Sequence, residues 1–219
     1  MPPASAPRPV LMPWETVQES QNLCTEAFEM RLWGRKSPTV TVKDIVQGLL
    51  MVCIGGQKTL DTDLLLLKEG ALSGALSEVD KDAALSELFM MRIALVAYCL
   101  QKCLSEKVQE EAREAFSQAL HSILTSSANE RIRSDPNRAI AELNERCNLY
   151  LTAIETSHPS GPGWNVGKVF AELCGVSEPD VQVIGVGSIQ FGFAISAILE
   201  FLKRCKSEHR LKFILLEPK

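Results

Sequence analysis

One stretch of the chain, residues 181–199, contains no charged side chain and has an acidic residue at each end. Its length and apolarity reach the threshold of a transmembrane helix. It also contains Gln182 and Gln190, and side-chain amides in hydrocarbon need hydrogen-bond partners. A helix that is apolar on all sides is equally typical of a protein core. We therefore predict a very apolar C-terminal helix inside a globular fold, and keep a membrane-associated helical protein using residues 181–202 as an alternative.

Apolar residues recur at helical spacing along most of the remaining chain. Segment 85–104 leaves little polar surface and is predicted to be the central, most buried helix. Segment 105–124 has a narrow apolar stripe among charged residues and is predicted to be an exposed amphipathic helix. The fold class is all-α, a single globular bundle of about seven to eight helices. The predicted helices are 14–35, 42–54, a short buried helix within 61–77 that is broken by Gly70 and Gly74, 85–104, 105–124, 135–158, 166–174 and the C-terminal helix.

Two helix starts have specific signals. Thr41 precedes an apolar run and Asp44 follows it three residues later, as in a capping box. Pro136 directly follows Asp135, and proline is favoured in the first helical turn. These residues predict helices that begin at about 42 and 135.

Length and composition predict one domain with flexible ends. The chain has 219 residues, of which 46% are hydrophobic, enough for one sizeable core. Residues 1–13 are rich in Pro, Ala and Ser, a composition that favours an extended arm. The predicted organisation is an extended Pro-rich arm over 1–13, a helical domain over 14–206 and a basic and apolar tail over 207–219.

Charge and cysteine content indicate the cellular compartment in which we expect the protein. The net charge of -4 and the charged fraction of 23% are ordinary for a soluble domain. Seven cysteines form an odd, widely spaced set, which favours free thiols in a reducing compartment. No secretory signal and no Asn-x-Ser/Thr glycosylation site is present. We expect an intracellular, cytoplasmic protein.

No motif for catalysis, cofactor binding or metal binding is complete. Stretch 162–169 has Lys168 where a phosphate-binding loop has its lysine, but Val169 replaces the hydroxyl residue that binds magnesium. Cys99 and Cys103 have the spacing of two metal ligands on a helix, but no neighbouring His or Cys pair supplies the rest. We predict two core thiols, no metal, no cofactor and no catalytic residue, so an enzyme is the less favoured class.

Stretch 163–175 starts with Gly163-Trp164, ends at Gly175 and precedes an apolar tail. It is similar to one short motif of the helical apoptosis-regulator family. The similarity covers about a dozen residues, and the Asn-Trp-Gly-Arg signature of that family is absent. We transfer no function on this basis.

Surfaces rather than motifs are therefore the predicted basis of function. We expect a helical protein-protein interaction or assembly protein without catalytic activity, with a protein partner or self-association as the main contact. An alternative is a nucleic-acid-associated structural protein of the viral coat or nucleocapsid type, suggested by the arm and two basic clusters. The candidate contact residues are Trp164, Lys168, Arg131, Arg133, Arg138, Lys203, Arg204, Lys206 and Arg210.

Overall fold

The computed structural model describes residues 41–54, 81–125, 135–176 and 180–208. These residues form six helices and no strand, which confirms the all-α prediction. The helices are α1 (Val42–Ile54), α2 (Lys81–Cys103), α3 (Glu106–Thr125), α4 (Pro136–Glu155), α5 (Pro162–Leu173) and α6 (Val181–Glu208). The predicted arm over 1–13, the predicted helices over 14–35 and 61–77, and residues 209–219 of the predicted tail lie outside the described residues.

Helix α2 is the centre of the bundle, because it packs against each of the other five helices. Its buried side chains include Leu88, Ile93 and Ala94, which point to different sides of the helix. A helix surrounded in this way must be apolar all round, as the sequence of 85–104 indicates. The prediction of a central, buried helix is confirmed.

Short polar contacts fix the ends of several helices. The Thr41 hydroxyl accepts a hydrogen bond from the Asp44 backbone N–H (3.2 Å), and Asp44 Oδ2 accepts one from the Thr41 N–H (2.9 Å). This is the predicted capping box of α1. The Asp135 carboxylate accepts a hydrogen bond from the Arg138 N–H at the start of α4. Both predicted helix starts are confirmed.

Helix α5 begins at Pro162, before the predicted start at 166. Gly161 has a φ of 81°, and its turn brings the chain to Pro162 at the first helical position, where a missing N–H costs nothing. Asn165 then donates hydrogen bonds to the carbonyls of Ala153 (3.4 Å) and Thr156 (2.8 Å) at the end of α4. The proline and glycine residues read as a helix breaker are therefore a tight α4–α5 corner.

Helices α5 and α6 make the most extensive helix-helix contact in the part of the chain that the structure describes. A Cβ atom added at Gly187 would lie 2.9 Å from the Gly167 Cα and 2.9 Å from the Phe170 Cβ. A Cβ atom at Gly167 would collide with the Ile184 carbonyl oxygen. The backbones meet where both helices lack a side chain, and this contact fixes how α6 is rotated about its axis.

Candidate functional site

The outward side of α6 is apolar and exposed to solvent. Val181 is 66% exposed, Ile189 48% and Phe193 59%, and these are three of the five large hydrophobic side chains that the described residues expose. Gly185 and Gly192 lie between them, and a Cβ atom added at either glycine meets no atom within 4 Å. We call these five residues the outer face of α6.

Helical geometry places the outer face opposite the buried side of α6. At 3.6 residues per turn, its five residues lie within an arc of about 120°. The buried residues Ile184, Gly187 and Ile198 lie on the opposite side. The outer face ends at charged residues at both ends of the helix, with Asp180 before it and the exposed Glu200 and Lys203 after it.

A buried polar contact attaches α6 to the central helix. Arg92 Nη2 of α2 donates a hydrogen bond of 2.9 Å to Gln190 Oε1, and both residues are buried. Among buried side-chain nitrogen and oxygen atoms of the described residues, Gln190 Nε2 alone has no hydrogen-bond partner there. Breaking the contact would leave a guanidinium and an amide buried without each other, which is costly. Gln190 therefore holds the register of α6, so the outer face points away from the core.

A second buried cluster joins α2 to α4. Glu87 Oε1 forms a salt bridge of 2.7 Å with Arg146 Nη1, and Glu87 Oε2 accepts a hydrogen bond of 3.3 Å from the Tyr150 hydroxyl. Burial raises the pKa of the Glu87 carboxyl, while Arg146 and Tyr150 act in the opposite direction. Burial also raises the pKa of the Tyr150 hydroxyl, and the neighbouring Glu87 raises it further.

This cluster has the features of a structural contact. Both oxygens of Glu87 are engaged by α4, and Tyr150 is completely buried. A general base must be able to reach the proton that it removes, and the two partners occupy the carboxylate instead. We interpret the Glu87 cluster as the polar link between the two helices.

Two thiols lie next to each other at the end of α2. Cys99 is buried and Cys103 is half-buried, and they are four residues apart in the helix, so they lie on the same side of α2. The hydrogen bond from Cys99 lowers the pKa of the Cys103 thiol to about 7, against the opposing effect of partial burial. In the part of the chain that the structure describes, no group of three or more His, Cys, Asp or Glu side chains could hold a metal ion.

The predicted contact residues are distributed over several helices. Trp164 is half-buried on α5 and stacks on His158, with ring centroids 6.3 Å apart, and Lys168 lies one turn further along. Both belong to the same helix, whereas Arg138 is exposed in the first turn of α4. Arg131, Arg133 and Arg210 lie outside the described residues.

The basic residues of α6 follow directly after its outer face. Lys203 and Arg204 are exposed, and Arg204 Nη2 lies 3.6 Å from Glu200 Oε1. Lys206 also belongs to α6. Helices α4 and α6 share no extensive interface. Arg138 and the basic residues of α6 therefore do not meet at a helix-helix contact.

Sequence reasoning did not identify Ile189 and Phe193 as surface residues. A signal was present, because Gly185, Gly192 and Ser196 recur at helical spacing and allow another backbone to approach. The stretch 181–199 has no charged residue on any side of the helix, however, so its sequence pattern does not distinguish the buried side from the exposed side. The packing of Gly187 against α5 and the hydrogen bond from Arg92 to Gln190 distinguish the two sides in the structure.

No family model matches this chain, and no curated protein or solved structure matches it either.

Proposed function

We propose that this protein is an interaction and assembly protein without catalytic activity, and that two copies associate through the outer face of α6. The observation that carries this proposal is the concentration of exposed apolar side chains, Val181, Ile189 and Phe193, on one helix. Single exposed hydrophobic residues need no explanation. A contiguous apolar face marks a contact surface.

The charges at the ends of the outer face favour a second copy as the partner. If two α6 helices pair in antiparallel orientation about Phe191, Ile189 of each copy lies opposite Phe193 of the other. The same register places Asp180 of one copy opposite Leu202 of the other, one residue away from the exposed Lys203. The paired faces carry no charge from residue 181 to residue 199, so two identical surfaces meet there without repulsion.

The size of the face predicts a weak, reversible dimer. The face spans residues 181–193, or about 18 Å at 1.5 Å per residue, and a helix with its side chains is about 10 Å wide. Each copy therefore buries on the order of a few hundred Å², below the roughly 800 Å² per partner of standard stable interfaces. We expect dissociation in the micromolar range or weaker, because small interfaces belong to transient complexes.

The packing of α6 favours a protein partner over lipid. By length and composition, Ala83–Cys103 in α2 and Val181–Cys205 in α6 could each span a membrane, but the first lies mostly inside the bundle. Close packing of a second helix benefits from Gly185 and Gly192, which let the backbones approach. Lipid chains gain nothing from these glycines, and the exposed polar residues Gln182 and Ser196 lie within the same arc.

The test is light scattering coupled to size exclusion, run at several protein concentrations without detergent. We expect the wild type to shift from monomer to dimer as the concentration rises, and Phe193→Glu to stay monomeric. Loss of a central aromatic contact costs about 2 kcal/mol or more, which is over tenfold in affinity. Leu149→Glu is the matched control, because Leu149 is an exposed hydrophobic residue (44%) on α4.

Two results would overturn the proposal. One is a wild-type monomer at every concentration, and the other is equal association of wild type and Phe193→Glu. Flotation of the wild type with lipid vesicles, lost in Phe193→Glu, would instead assign the outer face of α6 to a membrane surface.

The remaining sequence-based expectations stay predictions. A nucleic-acid-binding role predicts salt-sensitive binding to single-stranded RNA, weakened by replacement of the exposed Lys203 and Arg204. An intracellular location agrees with the thiols of the described residues, among which Cys53, Cys99, Cys103, Cys147 and Cys174 form no disulfide.

A further inference from the structure

The last turn of α2 carries two adjacent thiols in different surroundings. Cys99 and Cys103 are four residues apart and share one side of the helix. Cys99 is 1% exposed, whereas Cys103 is half-buried and is the final residue of α2. A reagent from solvent can therefore reach Cys103 and not Cys99.

Burial also decides which thiol carries the negative charge. An anion on Cys99 would lose its hydration, and burial together with its role as hydrogen-bond donor raises the pKa of Cys99. Cys103 retains contact with solvent and accepts the Cys99 S–H, so its pKa falls to about 7. The nucleophilic thiolate therefore forms on the accessible residue of the pair.

We propose that Cys103 is a modification site that reacts with hydrogen peroxide, and that Cys99 then closes a disulfide with it. The Cys103 thiolate attacks one peroxide oxygen, the O–O bond breaks, and hydroxide leaves to give the sulfenic acid. The Cys99 sulfur attacks the Cys103 sulfur, the S–O bond breaks, and water forms with the Cys99 proton. In total two thiols lose two hydrogens and one peroxide becomes two waters.

The position of Cys103 allows this bond to close. Residues four apart in a helix have Cα atoms about 6 Å apart, within the range of about 4.4–6.8 Å found for disulfides. Their Cβ atoms must approach from about 5–6 Å to about 4 Å. Because α2 ends at Cys103, this movement requires adjustment of its last turn only.

The same movement acts on the α2–α3 connection. Gln109 of α3 donates hydrogen bonds from its amide to the carbonyls of Gln101 (2.8 Å) and Leu104 (2.9 Å). These carbonyls lie on either side of Cys103 in the chain. Disulfide formation therefore weakens the Gln109 contacts, which makes the α2–α3 corner the region of the bundle that responds to oxidation.

The other thiols provide internal comparisons. Burial raises the pKa of Cys147 to about 12 and that of Cys53 to about 12 as well. At pH 7 about half of Cys103 is thiolate, and after allowing for its lower intrinsic nucleophilicity we expect it to react on the order of a hundredfold faster than Cys147. Cys147 is also half-buried, so it is matched to Cys103 in exposure.

The experiment treats the full chain with a small molar excess of hydrogen peroxide and follows intact mass and dimedone labelling. We expect the wild type to lose two hydrogens, with a Cys99–Cys103 crosslink in its peptide map. Cys99→Ser should keep a sulfenic acid on Cys103 that dimedone traps, and Cys103→Ser should show neither product. Cys147→Ser, the matched control, should behave as the wild type.

A measurement on the unmodified chain guards against variants that fail to fold. Alkylation of wild-type Cys103 by iodoacetamide, followed against pH, should have its midpoint near the pKa of about 7. A midpoint near 9, or peroxide products at Cys147 or Cys174 as fast as at Cys103, would refute the proposal. A sulfenic acid on wild-type Cys103 that never becomes a disulfide would refute the role of Cys99.

Discussion

Replacement of Gly187 by alanine tests whether the α5–α6 contact defines the packing of the C-terminal helix. The new methyl group would lie 2.9 Å from the Gly167 Cα and 2.9 Å from the Phe170 Cβ. Carbon atoms attract each other at about 3.5–4.0 Å and repel at shorter distances. One of the contacting atoms belongs to the backbone, so rotation of a side chain does not relieve the overlap. The two helices must move apart.

The magnitude follows from two opposing effects. Overpacking of a well-packed site costs about 1–3 kcal/mol, whereas alanine in place of glycine within a helix stabilises it by about 1 kcal/mol. Gly185→Ala lies on the same helix and gains the same helical propensity, but its methyl group meets nothing within 4 Å. We therefore expect Gly187→Ala to be less stable than Gly185→Ala by about 1–3 kcal/mol, because the propensity effect cancels.

The assay is urea unfolding followed by far-ultraviolet circular dichroism, in dilute protein where the proposed dimer is dissociated. We expect Gly185→Ala to be at least as stable as the wild type, and Gly187→Ala to unfold at lower urea with an unchanged slope. Equal unfolding free energies for the two alanine variants would refute the reasoning. That result would mean that α5 and α6 do not meet at Gly187.

Two further predictions concern the buried Glu87 cluster. Arg146→Ala leaves the Glu87 carboxylate without its cation and should cost about 3 kcal/mol in thermal or urea unfolding, whereas Arg113→Ala, at the exposed pair with Glu110, should change stability little. Because the pKa of Glu87 is raised, this carboxyl binds a proton more tightly in the folded state than in the unfolded state. The contribution of Glu87 to the free energy of unfolding is therefore complete below pH 4.5 and is lost as the pH rises above that value. The stability of the wild type relative to Glu87→Gln should therefore fall from pH 4 to pH 7, and a difference that rises over this range would contradict the buried position of the carboxyl.

The helices could be predicted because their local signals agree with their packing. The capping residues Thr41 and Asp135 mark the starts of α1 and α4, and both make the predicted contacts. The absence of polar surface in 85–104 identifies the central helix because only a helix covered on all sides tolerates it. The start of α5 was placed too late, because Pro162 was interpreted as a breaker although it is compatible with a first turn.

The buried polar contacts could not be predicted from the sequence. Glu87 and Arg146 lie 59 positions apart, and the pairs Arg92–Gln190 and Glu87–Tyr150 are separated by 98 and 63 positions. Helical periodicity relates residues within a few turns and carries no information on such pairs. The thiol pair was visible as a spacing, but its different exposures at Cys99 and Cys103 depend on the covering helices.

The exposed sides of α3 and α6 differ in a way that supports the proposed contact through the outer face of α6. Both helices lie at the surface of the same bundle, and α3 covers its solvent side with charged residues such as Glu110, Arg113 and Glu114. A surface that only meets water is expected to look like that of α3. On α6 the corresponding side carries Ile189 and Phe193, although a single charged residue there would disturb no core contact. The inner packing of α6 therefore does not require the absence of charge, and the proposed contact with a second copy would account for it.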